Sequence, residues 1–248
     1  MITQLLAPNP GPMTLNGTNT WLIGEPGRVV VVDPGPDDAA HRRAIIDAAG
    51  GASLIIATHR HHDHTDGIAL LADHFGCPVR AADPALCRSG DRLVDGEVIN
   101  SSGVELRVVA TPGHTDDSIC LVVQSAGALL SGDTILGRGT SVIAHPDGNL
   151  TDYLASLDRI ADVLAAEQLR RILPGHGPEI TDPVAVVAAY RQHRLDRLEQ
   201  VRSALAAGAV GAEEIVAAVY EGLDPALVPA AMQSVRAQLE HLGEGTTP

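Results

Sequence analysis

Short apolar runs alternate along the chain with polar junctions rich in Gly and Pro, and this pattern predicts most of the elements. "NTWLIG" and "RVVVVDPG", joined by the turn signal "EPG", predict two strands. Residues 37–50 predict a helix that stops at Gly50 and Gly51. A strand over 53–58, a helix near 66–75 and a strand at "PVRAA" follow. Beyond a turn-rich stretch, "VELRVVATPGH", "SICLVVQS" and "ALLSGDT" predict three further strands. A helix from about Leu150 to Glu167 then leads into the strand "RRILPGHG". Strands in succession, then strands alternating with helices, predict an α/β protein with two sheets covered by helices, not one doubly wound sheet.

From Asp182 the spacing becomes helical throughout, with Pro183 near the start of a long helix and Gly208 near its end. Two shorter helices are predicted at about 212–221 and 226–241, and "GEGTTP" reads as a disordered tail. The chain therefore divides into a main α/β domain, 1–182, and a small helical appendage, 183–248.

Composition bounds the reading. Aromatic residues make up only 2% of the chain, so Val, Ile, Leu and Ala have to fill the core. A net charge of −14 favours solubility and weighs against a strong nucleic-acid footprint, although a local basic groove is compatible with it. Cys77, Cys87 and Cys120 are odd in number and lack Cys-x-x-Cys spacing, which predicts a reduced, cytoplasmic protein, with Cys120 in the core. There is no basic leader and no long apolar run, so neither secretion nor a membrane span is expected.

The chemistry concentrates in "THRHHDHTDG", Thr58 to Gly67, where four histidines and two aspartates follow a predicted strand. The other polar motifs, "DPG", "PGHT", "SGDT" and "PGHG", also fall at strand ends, where α/β sheets place their chemistry. His59 and His61, two residues apart, can reach one metal ion, while Asp63 and His64 point towards a second. Imidazole and carboxylate suit zinc, and manganese or iron accept the same donors. The remote residues His114, Asp133 and His176 complete two such sites, with Asp133 as the candidate bridge. Any one histidine beside a glycine is more often a plain loop residue; five histidines and two aspartates, all at strand ends, are not.

These motifs resemble the metallo-β-lactamase superfamily, over about residues 14–181. The resemblance implies an αββα sandwich with two divalent ions at the shared edge of its sheets. It assigns one metal to His59, His61 and His114 and the other to Asp63, His64 and His176, with Asp133 bridging. Asp33, in "VVDPG", then braces the metal loop from behind. An aspartate at 133 is the habit of glyoxalase II and ribonuclease Z, whereas the zinc enzymes that destroy penicillins commonly carry cysteine or no ligand there. "NPGPMTLNGTNTWLIG", "TPGHTDDS", "SGDTILGRGT" and "LPGHGPEI" are similar to the β-lactamase-like protein two group, endoribonucleases with a winged-helix-like appendage. The expected chemistry is attack by a water that two ions, about 3.5–4 Å apart, acidify to a pKa near 7. Asp63 and Asp133 are the expected catalytic carboxylates, Asp63 orienting the nucleophile.

Single-stranded RNA is the first substrate expectation, from the resemblance and from Arg191, Arg194, Arg197 and Arg202 on the long helix. Against it, Asp196 and Glu199 intersperse with those arginines, as on a solvated face. A thioester or ester is the alternative, favoured by the acidic total and the lack of aromatics for base stacking, with β-lactams behind. A non-hydrolytic di-iron module is disfavoured because the metal loop keeps its histidines. DNA binding is not expected, since the last helix has only Arg236 as a fixed positive charge; packing, capping the active-site mouth or homodimerisation suits the appendage better. Arg60, His62, Arg138 and Thr140 neighbour the ligands and are candidates for the substrate pocket.

Overall fold

Four valines in a row, Val29 to Val32, suit only a strand covered on both faces, and each is buried. In the computed structural model, which describes residues 1–101, 103–143 and 145–244, this is β3 (Val29–Val32) of a five-stranded sheet. The sheet runs β1 (Ile2–Leu6), β2 (Asn19–Ile23), β3, β4 (Ala52–Ile56) and β5 (Val79–Arg80). Its first two pairings are antiparallel and the next two parallel. The second sheet runs β6 (Val98–Ser101), β7 (Val104–Ala110), β8 (Ile119–Val123), β9 (Ala128–Gly132) and β10 (Arg171–Pro174), with only the β9–β10 pair parallel.

Side-chain alternation sorts these strands into three apolar layers. Val30, Val32, Ile56, Leu106, Val108 and Leu121 meet between the sheets. Val29, Val31 and Ile55 turn the other way, onto α1 (Ala39–Ala49) and α3 (Ile68–Phe75) through Ile45 and Leu71. Val109, Val122 and Leu129 face Tyr153, Leu157 and Ile160 of α4 (Leu150–Ala166). The αββα expectation is met, with aliphatic side chains filling the core; Cys120 lies in it. Two strands escaped the sequence pattern. β1 and β6 are edge strands, each paired along one side and only partly buried, so neither carries a clean apolar run.

The long helix α5 (Pro183–Ala206) begins at the Asp182 cap, as Pro183 predicts. Its apolar residues divide along its length. Val187, Tyr190 and Leu198 join the α4 layer, whereas Val201 and Ala204 pack with α6 (Gly211–Val219) and α7 (Val228–His241). As far as Leu198, α5 thus packs with the sandwich, and the apolar clusters part within the helix. Among the described residues the appendage is helical, with no strand after β10, and no helix is long and apolar enough to cross a membrane. The expected disordered end falls largely on 245–248, outside the described residues.

Candidate metal centre

Five strand ends converge where the two sheets touch. Ile119 N donates to Thr58 O at 2.9 Å and Asn19 N to Gly175 O at 2.7 Å, tying β8 to β4 and β2 to β10. The loops after β3, β4, β7, β9 and β10 then deliver Asp33, His59 to His64, His114, Asp133 and His176 to one place. The metal loop contains a helical turn that sequence reading missed, α2 (His62–Thr65). That turn swings Asp63 and His64 away from His59 and from His61, the extended residue that precedes it. Gly175 is required by space alone: a Cβ there would lie 2.4 Å from Asp133 Oδ1 and 2.8 Å from His64 Cε1.

Two donor groups result. His59, His61, His114 and Asp133 present atoms within 4.8 Å of one another, and Asp63, His64 and His176 form a second such set. Asp133 reaches both, with Oδ2 at 3.9 Å from His59 Nε2 and His114 Nε2 and 3.2 Å from His176 Nε2. Its Oδ1 is 3.5 Å from His64 Nε2, yet this buried atom has no hydrogen-bond partner among the described residues.

The outer ring nitrogens test whether this set fits a cation. Thr58 Oγ1 donates its proton to Asp33, so it accepts from His59 Nδ1 at 3.1 Å. The carbonyl of Val142 accepts from His114 Nδ1, and that of Gly17 accepts from His176 Nδ1 at 3.1 Å. Once Nδ1 holds the proton, the inward Nε2 of neutral His59 and His114 is a bare lone pair. Both aim at His61 Nδ1, at 3.0 and 3.1 Å, and that atom can donate to only one of them. Burial pushes His114 down to about 4 and His59 well below its ordinary value, so both are neutral at pH 7, the metal-binding form. Lone pairs facing each other repel unless a cation lies between them. Their spacing is near the about 3.4 Å that separates two ligands of a tetrahedral zinc. The donor set fits.

The second group has two carboxylates within reach, its own Asp63 and the neighbouring Asp133. Burial alone would push the Asp133 carboxyl up, but His176 and His64 outweigh it and hold it well below the usual range. Burial likewise opposes ionisation of Asp63, yet the hydrogen bond to His176 and the charge of His64 bring it down to about 2. His64 and His176 move the other way, His176 to about 9: desolvation lowers each ring, but Asp133, joined by Asp33 at His64 and by Asp63 at His176, outweighs it. Protons and metal ions compete for these nitrogens.

Behind the donors, Asp33 accepts from Thr58 N and Thr58 Oγ1, both at 2.8 Å, and pairs with His64 Nδ1 at 3.0 Å. Thr18 Oγ1 donates to Asp63 Oδ2 at 3.0 Å, and Ser141 Oγ stands 3.1 Å from His114 Nδ1. Sequence reading did not single out Thr18, Thr58, Ser141 or the two carbonyls. A hydroxyl next to a ligand, as in "ATHR", is the one signal that pointed to any of them.

The four expected pocket residues separate. Arg138 and Thr140 line a cavity of about 350 Å³ that also touches His114 and Asp133. Arg60 does not line it. Its guanidinium is drawn among Asp83, Asp116, Asp117 and Asp147, from three different loops, where it anchors the metal loop. His62 points to solvent and bonds Asp66 at 3.1 Å.

Fold and donor set together define a metal-dependent hydrolase. The chain belongs to the metallo-beta-lactamase superfamily, which residues 13–176 match, and residues 212–244 match the beta-lactamase associated winged helix domain. It is 36% identical over 212 residues to a beta-lactamase-like protein 2 homolog of Caenorhabditis elegans, covering 81% of this chain and 69% of that one. An atrochrysone carboxyl ACP thioesterase of Aspergillus chevalieri is 34% identical over 234 residues, 88% of this chain and 73% of its own. Among solved structures, a beta-lactamase domain protein from Burkholderia ambifaria superposes with a TM-score of 0.81 at 26% identity, covering 98% of this chain and 85% of that one.

Proposed function

We propose that the protein is a dinuclear hydrolase of thioesters or esters. The observation that carries this is the cavity, which runs from His114 and Asp133 between the sandwich and the C-terminal helices, walled by Leu15, Leu136, Leu223 and Leu227. Its about 350 Å³ and apolar walls match an acyl chain, and it falls within the size range of small-molecule sites. The thioesterases among the relatives support the same reading.

The long helix offers RNA little. Arg191 pairs with Asp158 at 2.6 Å and Arg202 with Glu199 at 3.5 Å. Arg194 is buried, and Arg197 lies over the Tyr220 ring. None of the four stands free on an open surface to track a phosphate backbone, so the RNA expectation loses the helix that supported it.

In this reading His59, His61 and His114 would hold one ion and Asp63, His64 and His176 the other, with Asp133 within reach of both groups. When bound, two divalent ions, zinc by donor preference, supply the Lewis acidity that activates water and polarises the scissile carbonyl. Asp33, Thr58 and the carbonyls of Gly17 and Val142 hold the imidazoles in the tautomer that gives inward lone pairs. Asp63 keeps 29% of its side chain exposed while Thr18 holds one oxygen, so it orients an entering water. The test is a side-by-side assay of zinc-loaded protein on an acyl thioester and on single-stranded RNA. Thioester turnover with intact RNA is expected; the reverse overturns the reading.

A further inference from the structure

The cavity holds more positive charge than its surroundings explain. The chain has 17 basic residues, all arginine, against 31 acidic ones. Three of those arginines, Arg138, Arg194 and Arg197, line this one cavity, and Asp133, at the metal end, is its only lining carboxylate among the described residues. None of the three forms an ion pair with a carboxylate among the described residues, although Arg191 and Arg202 on the same helix do.

Arg194 is the sharpest case. It is 4% exposed, its Nη2 donates to Ser141 O, and its guanidinium lies 5.1 Å from the Tyr153 ring centroid. Its Nε is buried and has no partner among the described residues. A guanidinium taken out of water without a counter-ion is costly, and an unmet donor adds to the cost. Arg197 is half-buried against Tyr220 at 4.3 Å, donating to Gln200 Oε1 and Val219 O. Arg138 is exposed and makes no side-chain hydrogen bond among the described residues. All three line the space that an entering anion would occupy.

We infer that this wall is an anion-recognition subsite, which takes a carboxylate or phosphate carried by the substrate. The substrate's apolar body lies along Leu15, Leu136, Leu223 and Leu227, and its scissile carbonyl at the metal end. The inference rests on the hydrolase reading above and adds a charge requirement to it. Guanidinium suits both anions, since its planar fork matches their oxygens. The anion has two possible sources, the far end of the acyl chain or the thiol arm.

Arg194 also reaches His114 indirectly, since Ser141 Oγ stands beside His114 Nδ1, so replacing it disturbs the metal centre as well. The test therefore uses Arg138→Gln and Arg197→Gln, singly and together, with circular dichroism to check folding. Zinc-loaded wild type and variants are assayed on three matched thioesters: one neutral, one with a carboxylate ending the acyl chain, one with a phosphate ending the thiol arm. Wild type is expected to favour one charged substrate over the neutral one by at least about tenfold in kcat/KM. That ratio falls towards one in the double variant, and the favoured arm names the source. Equal use of all three by wild type, or a preference that survives both replacements, overturns the inference.

If no thioester is turned over, the hydrolase reading fails separately, and calorimetry still tests the subsite. Octanoate and octyl phosphate should then bind zinc-loaded wild type more tightly than octanamide, and lose about tenfold in the double variant. Coordination to the ions alone survives arginine replacement, so unchanged affinity overturns the subsite.

Discussion

His64 Nδ1 stands 3.0 Å from Asp33 Oδ2, and the same carboxylate accepts the backbone N–H and hydroxyl of Thr58. Asp33 adopts φ 53°, a left-handed backbone that is costly for a side chain with a Cβ, though aspartate tolerates it better than most. The three hydrogen bonds oppose that strain and lock the end of β3 to the start of the metal loop. Replacing Asp33→Ala should leave the fold in place but loosen metal retention by about 10–100-fold. Competition with a chromophoric chelator measures this; unchanged retention would deny the brace.

Two donor groups imply two metal equivalents per chain. Elemental analysis of protein purified without chelator should find close to two, mainly zinc, and dialysis against a chelator should abolish hydrolysis until metal is restored. A well-folded sample that neither contains nor takes up metal would refute the assignment.

Asp133→Ala removes the one carboxylate that reaches both groups. Turnover should fall by far more than tenfold, with the circular dichroism spectrum preserved. Turnover within about tenfold of wild type, or about 1.4 kcal/mol of barrier, would place the bridge elsewhere.

Gly175→Ala is a steric test of the same geometry. Its methyl would press on Asp133 Oδ1 and His64 Cε1, both buried, so metal content and activity should fall together. Full activity in this variant would contradict the close approach of β10 to the centre.

Away from the metal, Arg80 and Glu97 join the edge strand β5 to the turn before β6, Nη1 to Oε1 at 2.7 Å. The hydrogen bond from Arg80 holds the Glu97 carboxyl below its ordinary value. A depressed carboxylate adds stability above its unfolded pKa, about 4.3, and loses it as pH falls through the folded value. Glu97→Gln should therefore cost on the order of 1 kcal/mol at pH 7, a gap that narrows below about pH 4. Urea midpoints of chelator-treated protein at both pH values check the sign.

The sequence alone determined the αββα layering, because strands buried on both faces need unbroken runs such as Val29–Val32, and those runs are local. It also offered the candidate donors, because histidine and aspartate beside glycine at strand ends are visible one motif at a time. Edge strands such as β1 gave no such signal, since half their surface faces solvent. Tertiary structure decided the rest. Only folding sets Gly175 against Asp133, aims His59 and His114 at His61, and draws Arg60 into four aspartates instead of the cavity. Only folding buries Arg194, which the chain presents as one more cation on an amphipathic helix. Helical spacing says which face a residue occupies, but what covers that face is set by elements distant in the chain. Here those are the loop around Ser141 and the C-terminal helices that close over the cavity.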